Sequence, residues 1–315
     1  MTERGLFPTD FFLLKTSVRY YFLKQLYLLI HIKLNFMERK DKKRALVVGP
    51  GGMRGAYDAG AVTELFRKLG KDYFDSIYAV SAGTFISTYF VAECPETGEK
   101  IWREYVDGDK FIKFSNLFHK KNVIDLEYLS EVFCKDETIL PLDSISNSNK
   151  KLIYVLTDYY TEEPNYISPT PEDIFTLMKG SAAIPFLYPP VQINGSKYID
   201  GAISDPLPIE KALSDGHDEV IAVFNKPLGF IEGTRDRARN IILSRLSLKL
   251  KRQLVNLRLS LEQKERKLAS DNRIRIIRPK KQIPLKSILD TNKERVNATI
   301  NQGEEDAKRF LKDCL

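Results

Sequence analysis

The stretch IYAVSAGTF, Ile77 to Phe85, changes character at its middle. Ile77 to Val80 is a short continuous apolar run, the pattern of a strand buried on both faces, and Ala82 to Ala92 reads as a helix. Ser81 stands where one becomes the other. A serine on a sharp strand-to-helix turn has its hydroxyl pushed out at the end of the sheet, and small neighbours let strand and helix approach. The usual pattern is G-x-S-x-G; here it is Ala79-x-Ser81-x-Gly83. On this stretch alone Ser81 is either a nucleophile or an ordinary small turn residue.

Strand then helix is also the rhythm of the rest of the chain. Ala45 to Val48 is a strand, followed by a Gly-rich turn and a helix from about Met53 to Leu69 that stops at Gly70. Leu152 to Thr157 and Val220 to Phe224 are further buried strands, Tyr198 to Asp200 ends a short one, and Ile274 to Ile277 reads as a late edge strand. Such alternation predicts an α/β fold in three layers, α/β/α, with a mostly parallel central sheet covered on both faces. Residues 101–150 are less periodic and are expected to form helices over the site. The expected organisation is an N-terminal extension, 1–40, a core, 41–233, and a region, 234–315, that completes the same domain.

The chain has 315 residues, 43% hydrophobic and 29% charged, which is ordinary for a globular protein. No apolar run approaches the roughly 18 residues of a membrane-spanning helix. The start lacks the charged, apolar, small-residue order of a secretory signal. Cys94, Cys134 and Cys314 are odd in number and far apart, so they suggest neither a disulfide framework nor a zinc site. They fit a reducing, cytoplasmic compartment.

The net charge of +7 is uneven. Lys33 to Arg44 and Arg235 to Lys267 are dense in basic residues, which permits attraction to an anionic membrane surface and a peripheral location. Residues 1–36 mix Phe11, Phe12, Leu13, Leu14, Tyr20 and Tyr21 with Lys15, Arg19 and Lys24. They read as a basic amphipathic helix on a membrane, as a helix packed on the body, or as sequence ahead of a natural start at Met37. Residues 234–268 read as one long basic helix. It lacks interleaved aromatics and any nucleic-acid reading module, so no nucleic-acid partner is expected.

Two further segments carry candidate chemistry. GPGGMRG, Gly49 to Gly55, joins a strand to a helix and offers backbone N–H groups at the helix start. It is not a P-loop, because Ala56 and Tyr57 follow Gly55 where Lys and Ser or Thr are needed. It also fails the dinucleotide fingerprint in either register. A pocket for a smaller anion, such as the oxyanion of acyl transfer, remains beside the plain reading of a tight turn. YIDGAISDPLP, Tyr198 to Pro208, places Asp200 at a strand end, where it is either a base for Ser81 or an Asp-Gly turn residue. Of the three histidines, His31 lies in the N-terminal extension and His119 in the irregular region 101–150. His217 precedes strand Val220 to Phe224, on the wrong side of the sheet for a site at the carboxyl ends. A Ser-Asp dyad therefore fits better than a Ser-His-Asp triad. A desolvated crevice would raise the carboxyl from its usual pKa of about 3.9 and make it a better base.

Together these segments resemble the patatin-like phospholipase family, with its G-G-G-x-R-G, G-x-S-x-G and D-G-[AG] motifs. They stand here as Pro50-Gly51-Gly52-Met53-Arg54-Gly55, Ala79-Val80-Ser81-Ala82-Gly83 and Asp200-Gly201-Ala202. The segment Gly180 to Ala202 also looks like that family, and the resemblance covers about residues 45–225. It implies a serine acyl hydrolase of lipid esters that needs no metal or cofactor. Ser81 would be the nucleophile and Asp200 its base. The N–H groups of Gly51, Gly52 and Met53 would hold the oxyanion, and Arg54 would orient the loop or a head group. Gly55, Gly83 and Gly201 are the motif glycines. Pro50 and Ala79 replace family glycines, so a catalytically inactive lipid-binding member is the alternative.

Overall fold

The computed structural model describes residues 42–106, 108–113, 116, 122–185, 187–228 and 270–314. The expected N-terminal amphipathic helix, the basic helix over 234–268, His31 and His119 lie outside these residues. The chain divides into two compact units, Met1–Lys42 and Lys43–Leu315, and the second is the one described.

The four apolar runs become β1 (Arg44–Val48), β2 (Ser76–Val80), β3 (Lys151–Asp158) and β7 (Glu219–Val223). They pair in parallel in the order β3-β2-β1-β7, and β8 (Ile274–Ile277) adds a further parallel strand beside β7. Three antiparallel strands complete an eight-stranded sheet: β4 (Pro164–Ile167), β5 (Val191–Ile193) and β6 (Ser196–Asp200). The central strands are apolar throughout because both faces are covered. On β1, Leu46 and Val48 face one core cluster, while Ala45 and Val47 face the other.

One packing layer holds α1 (Gly55–Leu69), α2 (Gly83–Val91) and α3 (Pro95–Glu104). The opposite face is covered by α7 (Ile209–Ser214) through Ile209 and Ala212. Residues 101–150 do supply helices, α4 (Leu126–Val132) and α5 (Leu142–Ser146). Helix α6 (Ile174–Ser181) precedes the β5–β6 hairpin. The 22-residue α8 (Lys293–Cys314) was not anticipated. It crosses α1 at two glycines: a Cβ on Gly60 would lie 2.0 Å from the Ile300 carbonyl oxygen, and one on Gly303 would lie 2.0 Å from that of Tyr57. Only glycine permits backbones this close.

The register of β3 positions the site. Val155 pairs with Val80 of β2 on one edge and with Tyr166 of β4 on the other. One residue on, Leu156 pairs with Asn165 of β4 and with Asp200 of β6. Strands β2 and β6 therefore share one edge of β3, and β6 runs antiparallel toward the carboxyl end of β2. The end of β6 carries Asp200 and the end of β2 leads into Ser81.

Candidate active site

Ser81 has φ +53°, a left-handed backbone that a residue with a Cβ adopts only under constraint. The constraint is visible. The Ser81 N–H donates to Ser181 Oγ at 2.9 Å, and the Ser181 hydroxyl donates in turn to the Val155 carbonyl at 2.7 Å. The Ser81 carbonyl accepts from the Thr84 N–H at 2.9 Å and the Thr84 hydroxyl at 2.7 Å. Gly83 is required at the start of α2, because a Cβ there would lie 2.7 Å from the Val48 carbonyl oxygen. Ala79, which stands where the motif has glycine, is fully buried within β2, and its methyl is part of the core.

The Ser81 hydroxyl donates to Asp200 Oδ2 at 2.7 Å. The other carboxylate oxygen accepts the Ala202 N–H at 2.8 Å, and the Asp200 carbonyl accepts from the Thr157 hydroxyl at 2.8 Å. Gly201 is obligatory here, since its Cβ would come within 2.1 Å of the Val155 carbonyl oxygen. Ser81 and Asp200 are nearly buried. Burial pushes the Asp200 carboxyl up to about 6 against the two hydrogen bonds that favour its charge. At neutral pH it is ionised, yet far more basic than an exposed aspartate.

The Gly-rich turn lies at the end of β1, the strand next to β2. The Gly49 N–H donates to Val223 O at 3.1 Å, and the Arg54 N–H donates to Gly51 O at 3.1 Å. The Met53 N–H donates to Ile288 O at 2.9 Å, which corrects its expected place among the oxyanion donors: that proton already has an acceptor. Gly52 has φ +54°, and a Cβ there would lie 2.6 Å from the same Ile288 oxygen. Among the described residues, no acceptor takes the N–H of Gly51 or Gly52. Arg54 is buried at the start of α1, and Gly55 abuts both Trp102 and Ala82.

His217 is buried at the amino end of β7, with Nδ1 2.8 Å from Ala212 O and its ring edge-on to Tyr78, away from the Ser81 turn. No cluster of His, Cys, Asp and Glu suited to a metal occurs among the described residues. Nor is any described helix long and apolar enough to cross a membrane. A small apolar cavity lies among α2, α3 and α4, lined by Phe85, Tyr89, Ile101, Trp102, Leu129 and Phe133.

Sequence reasoning missed four contributors to this geometry: Ser181, the Ile288 carbonyl, Asn225, whose Nδ2 donates to the Pro50 carbonyl at 3.0 Å, and Asp58, whose Oδ2 accepts from the same Nδ2 at 2.7 Å. Ser181 carried a faint signal, as the hydroxyl within a run of small residues, GSAA. The others act across separations of well over a hundred residues and carried none.

The patatin-like phospholipase family model matches residues 46–213, which takes in all three motifs. The uncharacterized protein YjjU of Escherichia coli (strain K12) is 28% identical over 187 residues, covering 58% of this chain and 52% of that protein. The probable lipid hydrolase 463L of Invertebrate iridescent virus 6 is 27% identical over 187 residues, covering 54% and 63%. The chain thus spans between about half and two thirds of the length of these relatives. Among solved structures, VipD from Legionella pneumophila aligns over 86% of this chain and 67% of its own, with TM-score 0.49 and 14% identity. ExoU of Pseudomonas aeruginosa, solved with SpcU, aligns over 86% and 53%, with TM-score 0.36 and 11% identity. The family model covers more than half of the 315 residues, and the chain belongs to the patatin-like phospholipase family.

Proposed function

We propose that this chain is a serine acyl hydrolase that cleaves ester bonds of lipids through a Ser81-Asp200 dyad. The observation that carries the proposal is the 2.7 Å hydrogen bond from Ser81 Oγ to the buried Asp200 carboxylate, at the sheet end where the Gly51 and Gly52 N–H groups have no acceptor among the described residues. Ser81 Oγ attacks the ester carbonyl carbon while its proton passes to Asp200 Oδ2. The carbonyl oxygen becomes an oxyanion, held by the N–H groups of Gly51 and Gly52. Collapse breaks the ester C–O bond, and the leaving alcohol departs with the proton from Asp200. Water then attacks the acyl-Ser81 ester, giving its proton to Asp200, and the acid is released with Ser81 restored. A carboxyl at about 6 suits both transfers: it is charged at neutral pH and still accepts a proton readily.

Two findings favour a lipid ester. One is membership of the patatin-like phospholipase family; the other is the name of the viral relative. Arg54 is too buried to reach far into solvent, so its role is to brace the loop. The Pro50 substitution removes an N–H from a position where none is required, because the two following glycines supply the donors.

The test is fatty-acid release from phospholipid and lysophospholipid vesicles by the purified protein beside Ser81→Ala. Release by the wild type alone supports the proposal; equal release by both proteins, or by neither, sinks it. Release by neither, with retained vesicle binding, would favour the inactive lipid-binding alternative.

A further inference from the structure

Among the buried carboxyl groups that the mechanism above leaves unused, Asp58 lies nearest the Gly-rich loop in sequence. Asp58 lies in the first turn of α1, fully buried, and Asn225 lies just past β7, 1% exposed. Asn225 Nδ2 spends both its protons at this place: it donates to the Pro50 carbonyl at 3.0 Å and to Asp58 Oδ2 at 2.7 Å. The remaining oxygens, Asp58 Oδ1 and Asn225 Oδ1, are both buried with no hydrogen-bond partner among the described residues. An ionised Asp58 would leave two acceptors facing no donor, an expensive arrangement. A proton on Asp58 Oδ1 supplies the missing donor, and Asn225 Oδ1 is the acceptor that lacks one. A helix start favours an anion, but complete burial outweighs it and holds the Asp58 carboxyl well above the usual carboxylate range.

The loop these residues touch is the one proposed to bind the oxyanion. It is fastened at one end by Gly49 N–H on Val223 O and at the other by Met53 N–H on Ile288 O. Between these anchors, Asn225 holds the Pro50 carbonyl. It also packs beneath the next residue, so tightly that a Cβ on Gly51 would lie 2.5 Å from Nδ2. The orientation of the peptide that presents the Gly51 N–H is therefore set by the Asn225 amide, whose own orientation is set by Asp58.

We propose that Asp58 and Asn225 are positioning residues, a carboxylic acid–amide pair that aims the Gly51 and Gly52 N–H groups at the oxyanion. The inference rests on the proposed function for what those N–H groups bind. Neither residue touches substrate. Misplacing a donor by about 1 Å can cost on the order of a hundredfold in rate.

The test compares Asn225→Ala, Asp58→Ala and Asp58→Asn on a water-soluble short-chain ester, with thermal unfolding of each protein. Asn225→Ala and Asp58→Ala are expected to lose roughly ten- to a hundredfold in kcat with KM little changed. Asp58→Asn is expected to stay near wild type, because an amide at position 58 both donates and accepts where the protonated acid did. Unchanged kcat in Asn225→Ala, or an Asp58→Asn protein as impaired as Asp58→Ala, overturns the pairing. Thermal unfolding reads the pair without catalysis. Near pH 4, where the unfolded chain also holds much of the proton, Asp58→Asn should melt close to the wild type and Asp58→Ala below both; toward pH 8 Asp58→Asn should gain steadily on the wild type, because the unfolded chain ionises Asp58 while the native protein keeps the proton. A gap that stops growing below pH 7 would mean that Asp58 is ionised in the native protein, against the proposal. An inactive wild type would sink the proposed function while the melting comparison still decides on the pair.

Discussion

Replacing Asp200 by Asn should abolish catalysis and stabilise the fold at the same time. Burial raises the Asp200 carboxyl from 3.8 to about 6. The native protein therefore holds this proton between pH 3.8 and about 6, while the unfolded chain has released it, so stability from this group falls as pH rises through that window. The full interval is worth about 3 kcal/mol, at about 1.4 kcal/mol per tenfold in proton affinity. At pH 8 the wild type carries that whole penalty; the Asn variant carries none. The amide also fits the site: its oxygen can accept the Ala202 N–H and its NH2 can donate to Ser81 Oγ, the two partners Asp200 has now. One charge-assisted bond becomes a neutral one, which returns part of the gain. The expected difference is about 1–3 kcal/mol in favour of Asp200→Asn at pH 8, shrinking toward pH 4. Denaturant unfolding of both proteins at several pH values measures it directly. Groups such as Asp58 are common to both and drop out. A variant less stable than wild type at pH 8, or a gap that widens in acid, would refute the reasoning.

Other consequences are equally open to measurement. Activity on a soluble ester should fall in acid along a limb centred near pH 6, because protonated Asp200 cannot accept the Ser81 proton; activity level down to pH 5 would count against Asp200 as base. Ser181→Ala strips the acceptor from the Ser81 N–H and the donor from the Val155 carbonyl, both buried. It should cost about 1–3 kcal/mol in unfolding free energy and slow acylation, whereas wild-type stability would show that Ser181 does not hold the turn. Gly201→Ala forces a methyl to within 2.1 Å of the Val155 carbonyl oxygen, so the backbone beside Asp200 must move. An overpacking cost of about 1–3 kcal/mol or more and near-complete loss of activity are expected, and a crystal structure with an unmoved Asp200 would contradict this.

The parts legible in the sequence were those with a local cause. Continuous apolar runs gave β1, β2, β3 and β7 to within a residue or two, because strands buried on both faces have no polar positions. Gly70 ended α1 as expected, with φ +80°. Ser81 and Asp200 were legible as a pair only because three motifs came in family order; Asp200 alone read as a turn. Helix α8 was missed because its buried positions, Val296, Ile300, Ala307 and Leu311, are few and thinly spread among charged residues. Its attachment to α1 depends on Gly60 and Gly303, whose lack of a side chain leaves no apolar signal. The Met53 donor was assigned wrongly for a similar reason, since its acceptor is the backbone of Ile288, over two hundred residues away. No pattern of side chains announces a carbonyl.

The most direct test of the central claim is covalent labelling by a fluorophosphonate, which reacts only with a serine activated as a nucleophile. The account predicts a single labelled residue, Ser81, in the wild type, with no label on Ser81→Ala and little on Asp200→Ala. A wild type that stays unlabelled, or that carries the label on another serine while Ser81→Ala reacts equally well, would contradict it.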